Sequence, residues 1–263
     1  MKKLIIALVL VLFVLTGCNN DAPETNGEDN VVVVPFLDQL LMDGVILAGT
    51  SPDFPPFQSL DTHGNIIGFD IDMFEAVVDI LNEQHGTNLT VEWVSLDFTM
   101  IIGALQAGQI DVGVSGFTFR ADRDVIFSTP YIVSAQVVVV MPDSGITTIA
   151  DLDGKVVGAG LGSTGESQAN EIEGATVVAL NDFQMLFVQL AQGQLDAVVI
   201  DLPVAQAAAA EQGFVILDEV LLDENMSVII ENNNTLLAEA LNTAIAEFVG
   251  SDLYYELKAK WLD

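Results

Sequence analysis

A gapless internal repeat constrains the fold of this chain more than any other feature of its sequence. The segment from Asp97 to Ser115 matches the segment from Asp182 to Ile200 at a constant offset of 85 residues. Identical residues occupy these pairs: Asp97/Asp182, Phe98/Phe183, Met100/Met185, Leu105/Leu190, Gly108/Gly193, Gln109/Gln194, Asp111/Asp196 and Val114/Val199. Coincidence between two common helix–strand units is the alternative, which so many identities without a gap disfavour. Two copies are too few for a solenoid, so the repeat predicts two lobes of similar architecture.

Each copy predicts an apolar-periodic helix followed by a buried strand. The helix ends at Gly108 or Gly193, since glycine readily adopts the left-handed conformation that stops a helix. The buried strands are predicted over Ile110–Ser115 and Leu195–Asp201. The aspartates at the strand starts, Asp111 and Asp196, are expected to bond backbone groups.

Ligands of open parallel sheets bind beyond the carboxyl ends of the strands. The two repeat strands end at Ser115-Gly116 and at Asp201. Two lobes that face each other would place these ends across one cleft. Ser115 and Asp201 are therefore candidate ligand contacts.

The remaining pattern predicts an α/β chain. Strands are predicted at Val45–Ala48, Val91–Val94, Gln136–Met141, Lys155–Ala159, Thr176–Leu180 and Ser227–Glu231. Helices are predicted at Met73–Asn82, Met100–Ala107, Glu166–Glu173, Met185–Ala191, Val204–Gln212, Leu236–Val249 and Ser251–Trp261. Asp72-x-x-Glu75 predicts a capping box, and Asp70 is interpreted as a second helix cap.

The N-terminus predicts export and lipid anchoring. Lys2 and Lys3 precede an unbroken apolar run from Leu4 to Leu15, which is too short to span a bilayer comfortably. The run ends in Leu-Thr-Gly-Cys18, which resembles the lipobox of bacterial lipoproteins, and Cys18 is the chain's only cysteine. An ordinary signal peptide with an incidental cysteine is the alternative. We expect a signal peptide over residues 1–17, and lipidated (palmitoylated) Cys18 with a flexible acidic tether over residues 18–35. The anchored protein would lie at the outer face of the cell membrane or in the periplasm.

The charge balance excludes some partners. The chain carries a formal net charge of −31, which rules strongly against nucleic acid or an anionic membrane surface as a partner. Its only two arginines, Arg120 and Arg123, lie three residues apart. Arginine suits planar, bidentate binding of a carboxylate, although both residues could instead be surface counter-charges.

Most enzyme classes lack support in this sequence. The one cysteine is predicted to be lipidated, the two histidines lie in polar stretches, and neither a Gly-x-Ser-x-Gly motif nor a phosphate loop is present. With so few histidines and no other cysteine, no metal and no cofactor is expected. Carboxylate chemistry stays open because the chain has 38 acidic residues.

Six motifs follow one another along the chain: Gly49-Thr50-x-Pro52-x-Phe54-Pro55-Pro56-Phe57, Gly68-Phe69-Asp70-Ile71-Asp72, Leu105-x-x-Gly108-x-Ile110-Asp111, Ser115-Gly116-x-Thr118, Phe127-Ser128-x-Pro130-Tyr131 and Asp196-Ala197-x-x-x-Asp201. In this order and spacing they resemble the motifs of the family 3 extracellular solute-binding proteins, the amino-acid receptors of ABC importers. The resemblance runs from about Phe36 to Leu262. It implies a two-lobed periplasmic-binding-protein type II fold ("Venus flytrap") with two hinge strands. Lobe 1 would comprise residues 36–138 plus 230–263, and lobe 2 would comprise residues 139–229.

The resemblance also implies the ligand contacts. Arg123 would hold the α-carboxylate and Asp201 the α-ammonium group of an amino acid. The other implied contacts are Ser115, Gly116, Thr118, Ser163, Thr164, Phe54, Phe98 and Ser51. Independently, Gly162-Ser163-Thr164-Gly165 before a helix is a natural anion site. We assign Phe57, Phe69, Phe74 and Phe183 to the core.

Positions that depart from the usual pattern of the family affect which ligand and which function we expect. Ser51 lies where receptors for basic amino acids often carry an acid, so a polar or neutral amino acid is favoured, although Asp53 is near enough to reach the ligand. Arg120 would either face solvent or add a second positive charge. The expected partner is a membrane-embedded ABC permease, and the protein is expected to be a monomer without enzymatic activity. A cyclohexadienyl dehydratase-like enzyme is the alternative, with Glu166 or Glu173 as the catalytic acid.

Overall fold

The structure, a computed structural model, describes residues 36–263. The predicted signal peptide, the lipidation site at Cys18 and the tether over residues 18–35 all lie outside the described residues.

The described chain alternates helices and strands. The helices are α1 (Phe36–Asp43), α2 (Phe69–His85), α3 (Phe98–Gln106), α4 (Thr164–Glu171), α5 (Phe183–Ala191), α6 (Leu202–Gln212), α7 (Thr235–Val249) and α8 (Asp252–Trp261), with a short 3₁₀ turn at Ile149–Leu152. The strands are β1 (Val45–Thr50), β2 (Asp53–Phe54), β3 (Gln58–Leu60), β4 (Ile66–Ile67), β5 (Thr90–Ser95), β6 (Val112–Thr118), β7 (Ile126–Phe127), β8 (Ile132–Val140), β9 (Val156–Gly160), β10 (Thr176–Leu180), β11 (Ala197–Asp201) and β12 (Val215–Ile230). Every predicted helix and strand is present, with shifted ends.

One continuous sheet of nine strands organises the fold. Its order is β10-β9-β11-β8-β12-β6-β1-β5, with β7 paired to β12, and β2, β3 and β4 form a separate small sheet. The two flanks are parallel: β1 pairs with β5 and β6, and β9 pairs with β10 and β11. The two long strands between the flanks, β8 and β12, run antiparallel to each other. The chain passes from one flank to the other along these strands. The predicted lobe boundaries stay predictions.

The repeat has the same local structure in both halves. Helices α3 and α5 begin at Phe98 and Phe183, the equivalent phenylalanines of the two copies. Each helix is followed by a left-handed glycine, at φ 65° for Gly108 and 69° for Gly193. The two helix–strand units are therefore equivalent in structure as well as in sequence.

The repeated aspartates join the strands as expected. Asp111 accepts a hydrogen bond from the Leu47 backbone N–H at 2.7 Å, and Asp196 accepts one from that of Val156 at 2.8 Å. Each carboxylate thus fixes the position of the neighbouring parallel strand.

The core lies between the sheet and its helices. Helix α2 buries Met73, Phe74, Val77 and Leu81, whose three- and four-residue spacing forms one apolar face. Phe57, Phe69 and Phe74 are fully buried, as predicted.

The predicted helix caps are wrong. Helix α2 begins three residues before Asp72, after Gly68, and no side chain caps it. Asp72 instead accepts hydrogen bonds from Lys260 Nζ at 2.6 Å and Trp261 Nε1 at 2.7 Å. The acids of the motif serve tertiary contacts rather than local capping: Asp72 bonds the C-terminal helix, and Glu75 accepts a hydrogen bond from Trp93 Nε1 at 3.2 Å.

Candidate functional site

A small, partly enclosed cavity lies between the two flanks of the sheet. Its free volume is about 20 Å³, enough for little more than one water molecule, so the cleft is nearly closed on itself. The lining residues are Ser51, Asp53, Phe54, Gln58, Phe98, Ser115, Gly116, Arg123, Ser163, Thr164, Phe183 and Asp201. Every ligand contact expected from the sequence is in this lining except Thr118. The structure therefore brings residues from distant parts of the sequence around one cavity.

Arg123 brings a positive charge to the cavity. Its guanidinium group lies 5.6 Å from the ring centroid of Phe98 and 5.3 Å from that of Phe117. It donates hydrogen bonds to the carbonyl oxygens of Thr118 at 2.7 Å and Gly162 at 2.9 Å. Burial, then the nearby charge of Arg120, lowers the pKa of Arg123 to about 10, so the group is still charged at neutral pH.

Arg123 forms no ion pair among the described residues. Within residues 36–263, no carboxylate oxygen lies within 4.0 Å of its guanidinium nitrogens. A buried charge without a counter-charge is costly, so the arrangement favours an anionic ligand group at Arg123.

Asp201 brings a carboxyl group to the cavity from the last position of β11. Its side chain is 7% exposed and forms no ion pair with a described basic residue. Burial raises the pKa of Asp201 well above its ordinary value, and the carboxyl group of Glu224 raises it further. Asp201 also occupies the N-cap position of α6, but its side chain makes no capping hydrogen bond.

A second buried acid, Glu224, lies behind the cavity and was missed from the sequence. It is 3% exposed. Its Oε1 accepts a hydrogen bond from Gln136 Nε2 at 2.6 Å, and its Oε2 accepts one from Thr164 Oγ1 at 2.9 Å. The only indication in the sequence was an acidic residue two positions before the run Met226–Ile230, which is buried in the structure. Because the hydroxyl hydrogen of Thr164 is given to Glu224, Thr164 can donate to a ligand only through its backbone N–H.

Ser115 is the hydroxyl best placed to donate to a ligand. Its Oγ accepts hydrogen bonds from the Ser51 N–H at 3.2 Å and from Gln58 Nε2 at 3.1 Å. These bonds leave its own hydrogen available. The hydroxyl group of Ser51, by contrast, donates to Asp53 Oδ1 at 2.8 Å.

Gln58 is a second residue that the sequence reasoning missed. It is 1% exposed, and its Oε1 has no hydrogen-bond partner among the described residues. A buried carbonyl oxygen without a donor is unfavourable. This atom is therefore a candidate acceptor for a ligand N–H group.

Asp70 supports the binding loop from behind. Its Oδ2 accepts a hydrogen bond at 3.0 Å from the backbone N–H of Gly116, which needs glycine because its φ is 60°. Asp70 is fully buried, and this burial raises its pKa to about 7. The cap interpretation of Asp70 is therefore wrong, because its carboxyl group faces the loop.

Thr118, the one expected contact outside the lining, acts on the site through Arg123. Its carbonyl oxygen accepts from Arg123, and its buried hydroxyl group has no hydrogen-bond partner among residues 36–263. Thr118 is the last residue of β6, is 8% exposed and is not part of the cavity lining.

Aromatic rings form the apolar part of the cavity. The rings of Phe54 and Phe183 meet edge to face with centroids 4.8 Å apart. Phe98 stacks on Phe117 at 4.7 Å. Phe183 is 5% exposed and also lines the cavity, so assigning it to the core alone was incomplete.

Polar contacts join the two flanks over the cavity. Arg120 Nη1 donates to the carbonyl oxygens of Gly162 at 3.0 Å and Ser163 at 3.1 Å, while Asp122 accepts from the same guanidinium group. On another side, Asp53 Oδ2 accepts from the Phe183 N–H at 3.0 Å. Arg120 is thus neither a lining residue nor a free surface charge, because it holds the closed arrangement together.

The start of α4 departs from the predicted anion site. Ser163 Oγ donates to the Gly160 carbonyl oxygen at 2.7 Å and accepts from the Glu166 N–H at 3.1 Å. Glu166 Oε2 accepts from the Gly162 N–H at 2.6 Å, so a protein carboxylate already occupies that amide. Neither Glu166 nor the exposed Glu173 lines the cavity.

No group of three or more histidine, cysteine or acidic side chains in residues 36–263 is arranged to hold a metal ion. No helix in the same residues combines the length and the hydropathy needed to cross a bilayer.

Comparison with known proteins places the chain among binding proteins. It is 30% identical over 230 residues to the arginine-binding extracellular protein ArtP of Bacillus subtilis (strain 168), covering 83% of this chain and 82% of that protein. A mutant of the arginine-binding protein ArgBP from T. maritima is 35% identical with a TM-score of 0.77, covering 86% of this chain and 98% of the other.

A third similar protein bears on the alternative that this chain is a dehydratase-like enzyme. The ancestral amino-acid-binding protein AncCDT-1, a precursor of cyclohexadienyl dehydratase, is 30% identical with a TM-score of 0.79, covering 86% of this chain and 99% of the other. The solved structures confirm the predicted α/β, two-lobed type II fold. Residues 46–263 match the bacterial extracellular solute-binding proteins, family 3, and the chain belongs to that family.

Proposed function

We propose that this protein captures a free amino acid in the cleft and delivers it, chemically unchanged, to the membrane permease of an ABC importer. The observation that carries the proposal is the charge pattern of the cavity. Arg123 and Asp201 both line it, and neither has an oppositely charged partner within 4.0 Å among the described residues. A zwitterion supplies both missing counter-charges at once.

The proposed pose follows from the groups that line the cavity. The ligand carboxylate meets Arg123, the hydroxyl group of Ser115 and the backbone N–H group of Thr164, since the N–H group of Ser163 already donates to the Gly160 carbonyl oxygen. The ligand ammonium group meets Asp201. The side chain then lies among the aromatic rings, where a dry surrounding strengthens every polar contact.

Two classes of side chain compete. A polar or neutral side chain is the prediction based on Ser51, and Gln58 Oε1 offers it an acceptor. A cationic side chain is favoured by the acid Asp53 in the lining and by the arginine named for ArtP and ArgBP. Titration with glutamine and with arginine separates the two classes, and Asp53→Asn should weaken arginine far more than glutamine if the cationic class is correct.

Calorimetry against the standard amino acids tests the proposal. Arg123→Ala and Asp201→Asn should each weaken binding by about 100-fold or more, since breaking a buried charge pair costs about 3–5 kcal/mol. Asp218→Asn, an exposed acid at β12, is the matched control and should bind normally. Failure of every amino acid to bind would refute the proposal, and near-native affinity in Asp201→Asn would remove Asp201 from the site.

The dehydratase alternative makes a separate prediction. Glu166 and Glu173, the acids considered for catalysis, lie outside the cavity lining, and the named relatives are binding proteins. We therefore expect prephenate and arogenate to stay intact on incubation with the protein. Measurable turnover of either would favour the enzyme.

We also propose that the protein is exported as a monomer and held at the membrane by a lipid on Cys18. The support is the sequence pattern of residues 1–18 and membership of an extracellular family. In cells fed labelled palmitate, the full chain should carry label and sediment with membranes, whereas Cys18→Ser should do neither.

A further inference from the structure

We propose that Glu224 is a positioning residue that holds a proton on Asp201 in the empty cleft, and that a ligand ammonium group displaces this proton into solvent. The inference deepens the proposed function and rests on it, because the displacing group is the ammonium group of the captured amino acid.

The geometry identifies Glu224 as the hydrogen-bond acceptor of the pair. Each of its carboxylate oxygens already accepts a short hydrogen bond, Oε1 from Gln136 at 2.6 Å and Oε2 from Thr164 at 2.9 Å. Both oxygens of Glu224 are thus engaged as acceptors of these donors, whereas no described donor bonds the side chain of Asp201. The neutral, protonated partner is then Asp201, whose hydrogen is donated to Glu224.

Close placement enforces the sharing of one proton. Asp201 and Glu224 are 7% and 3% exposed, and both adjoin Gln136: Asp201 is its partner across the β8–β11 ladder, and Glu224 accepts a hydrogen bond from its side chain at 2.6 Å. Two buried carboxylates that share such a neighbour repel strongly if both are charged. Burial and the charge of Glu224 both raise the pKa of Asp201, which agrees with a proton held there.

The other charged or titratable groups acting on the pair are Arg123 and Tyr131. Arg123 lies close enough for Asp201 and Glu224 to stabilise its charge, but it makes no ion pair with either. Tyr131 is fully buried, and its pKa is raised well above its ordinary value, so it carries no charge at neutral pH. The described groups therefore include no cation in contact with the pair, and the ligand must bring one.

Ligand binding reverses the preference of Asp201 for its protonated form. An ammonium group in contact with Asp201 favours the charged carboxylate, while the ligand carboxylate is neutralised by Arg123 on the far side. The proton then leaves Asp201 for solvent as the ligand enters. Affinity should accordingly rise with pH, by up to about tenfold per pH unit while the empty site is still protonated.

Calorimetry of the full chain in two buffers of different ionisation enthalpy counts the protons. We expect up to one proton released per amino acid bound at pH values above the ordinary aspartate pKa of 3.8 and up to the raised pKa of Asp201, with a smaller release in Glu224→Gln, where only burial still raises that pKa. Asp223→Asn, the adjacent exposed acid of β12, should keep the wild-type value. Ligand binding with no proton release anywhere in that range would overturn the inference and leave the proposed function standing.

Unfolding of the empty protein gives a second readout that needs no ligand. A carboxyl group whose pKa is raised on folding stabilises the protein below its unfolded pKa, and this contribution is lost as pH rises through its folded pKa. The free energy of unfolding of Glu224→Gln relative to wild type should therefore rise with pH. A difference in unfolding free energy that does not change with pH would overturn the inference. Failure of every amino acid to bind is a separate result, and it would refute the proposed function.

Discussion

The buried carboxyl group of Asp70 allows a quantitative test of how the binding loop is supported. Asp70→Asn keeps an oxygen that can accept from the Gly116 N–H but removes the titrating proton. The substitution therefore separates the charge of this residue from its hydrogen bond.

The structure sets the size and sign of the effect. Burial raises the pKa of Asp70 from its ordinary 3.8 to about 7. The folded protein thus holds this proton more tightly than the unfolded chain does, and stability is greatest below the unfolded pKa and is lost as pH rises toward 7. The loss is about 1.4 kcal/mol per pH unit, or about 4 kcal/mol over the whole interval.

Urea unfolding of both proteins at a series of pH values measures this directly. The free energy of unfolding of Asp70→Asn relative to wild type should rise by about 1.4 kcal/mol per pH unit between about pH 4 and about pH 7, then level off. Asp79→Asn, an exposed position of the same helix, is the control and should give a flat line. A flat line for Asp70→Asn would show that burial does not penalise the ionised form of Asp70, and the reasoning would fail.

Three further substitutions test the site. Arg120→Ala removes two hydrogen bonds that close the cleft, so affinity for the bound amino acid should fall by about fivefold in calorimetry, and an unchanged affinity would show that the Gly162 contact does not favour closure. Gly160→Ala places a methyl group against the ring of Phe183, so thermal unfolding should show a loss of about 1–3 kcal/mol, whereas wild-type stability would contradict the tight packing. Gln58→Met retains the volume but loses the unpartnered oxygen, so affinity should fall by about tenfold, and full affinity would exclude Gln58 as a ligand contact.

Local sequence pattern and internal repetition were enough to predict the main helices and strands of the fold. Both repeat units contain the predicted helix, left-handed glycine and buried strand, because periodicity and glycine chemistry act within a few residues. Strand β12 was predicted only at its C-terminal end. Its first part is acidic and half-exposed, and it is a strand because β8 pairs with it through two irregularities of register.

Side chains that act through distant partners could not be predicted. Asp70 and Asp72 looked like helix caps because capping is a local pattern, yet their partners lie at Gly116 and at the C-terminal helix. Glu224 gave almost no signal, since its partners Gln136 and Thr164 are far away in sequence. Such contacts depend on the tertiary fold, which a single sequence does not display.

The crossing of the chain between the two flanks has a consequence for the order in which the protein can fold. The flank of β9, β10 and β11 is built from one contiguous stretch of sequence between β8 and β12. The other flank begins with β1 and is completed only by α7 and α8 at the end of the chain, where Lys260 reaches back to Asp72. During synthesis from the N-terminus, the segment from β9 to β11 can fold as soon as it is complete. The first strands can complete their packing only when the last thirty or so residues have been made. Removal of α8 should therefore trap a species in which the segment from β9 to β11 is protected from proteolysis, while the segment from β1 to β6 stays open to cleavage.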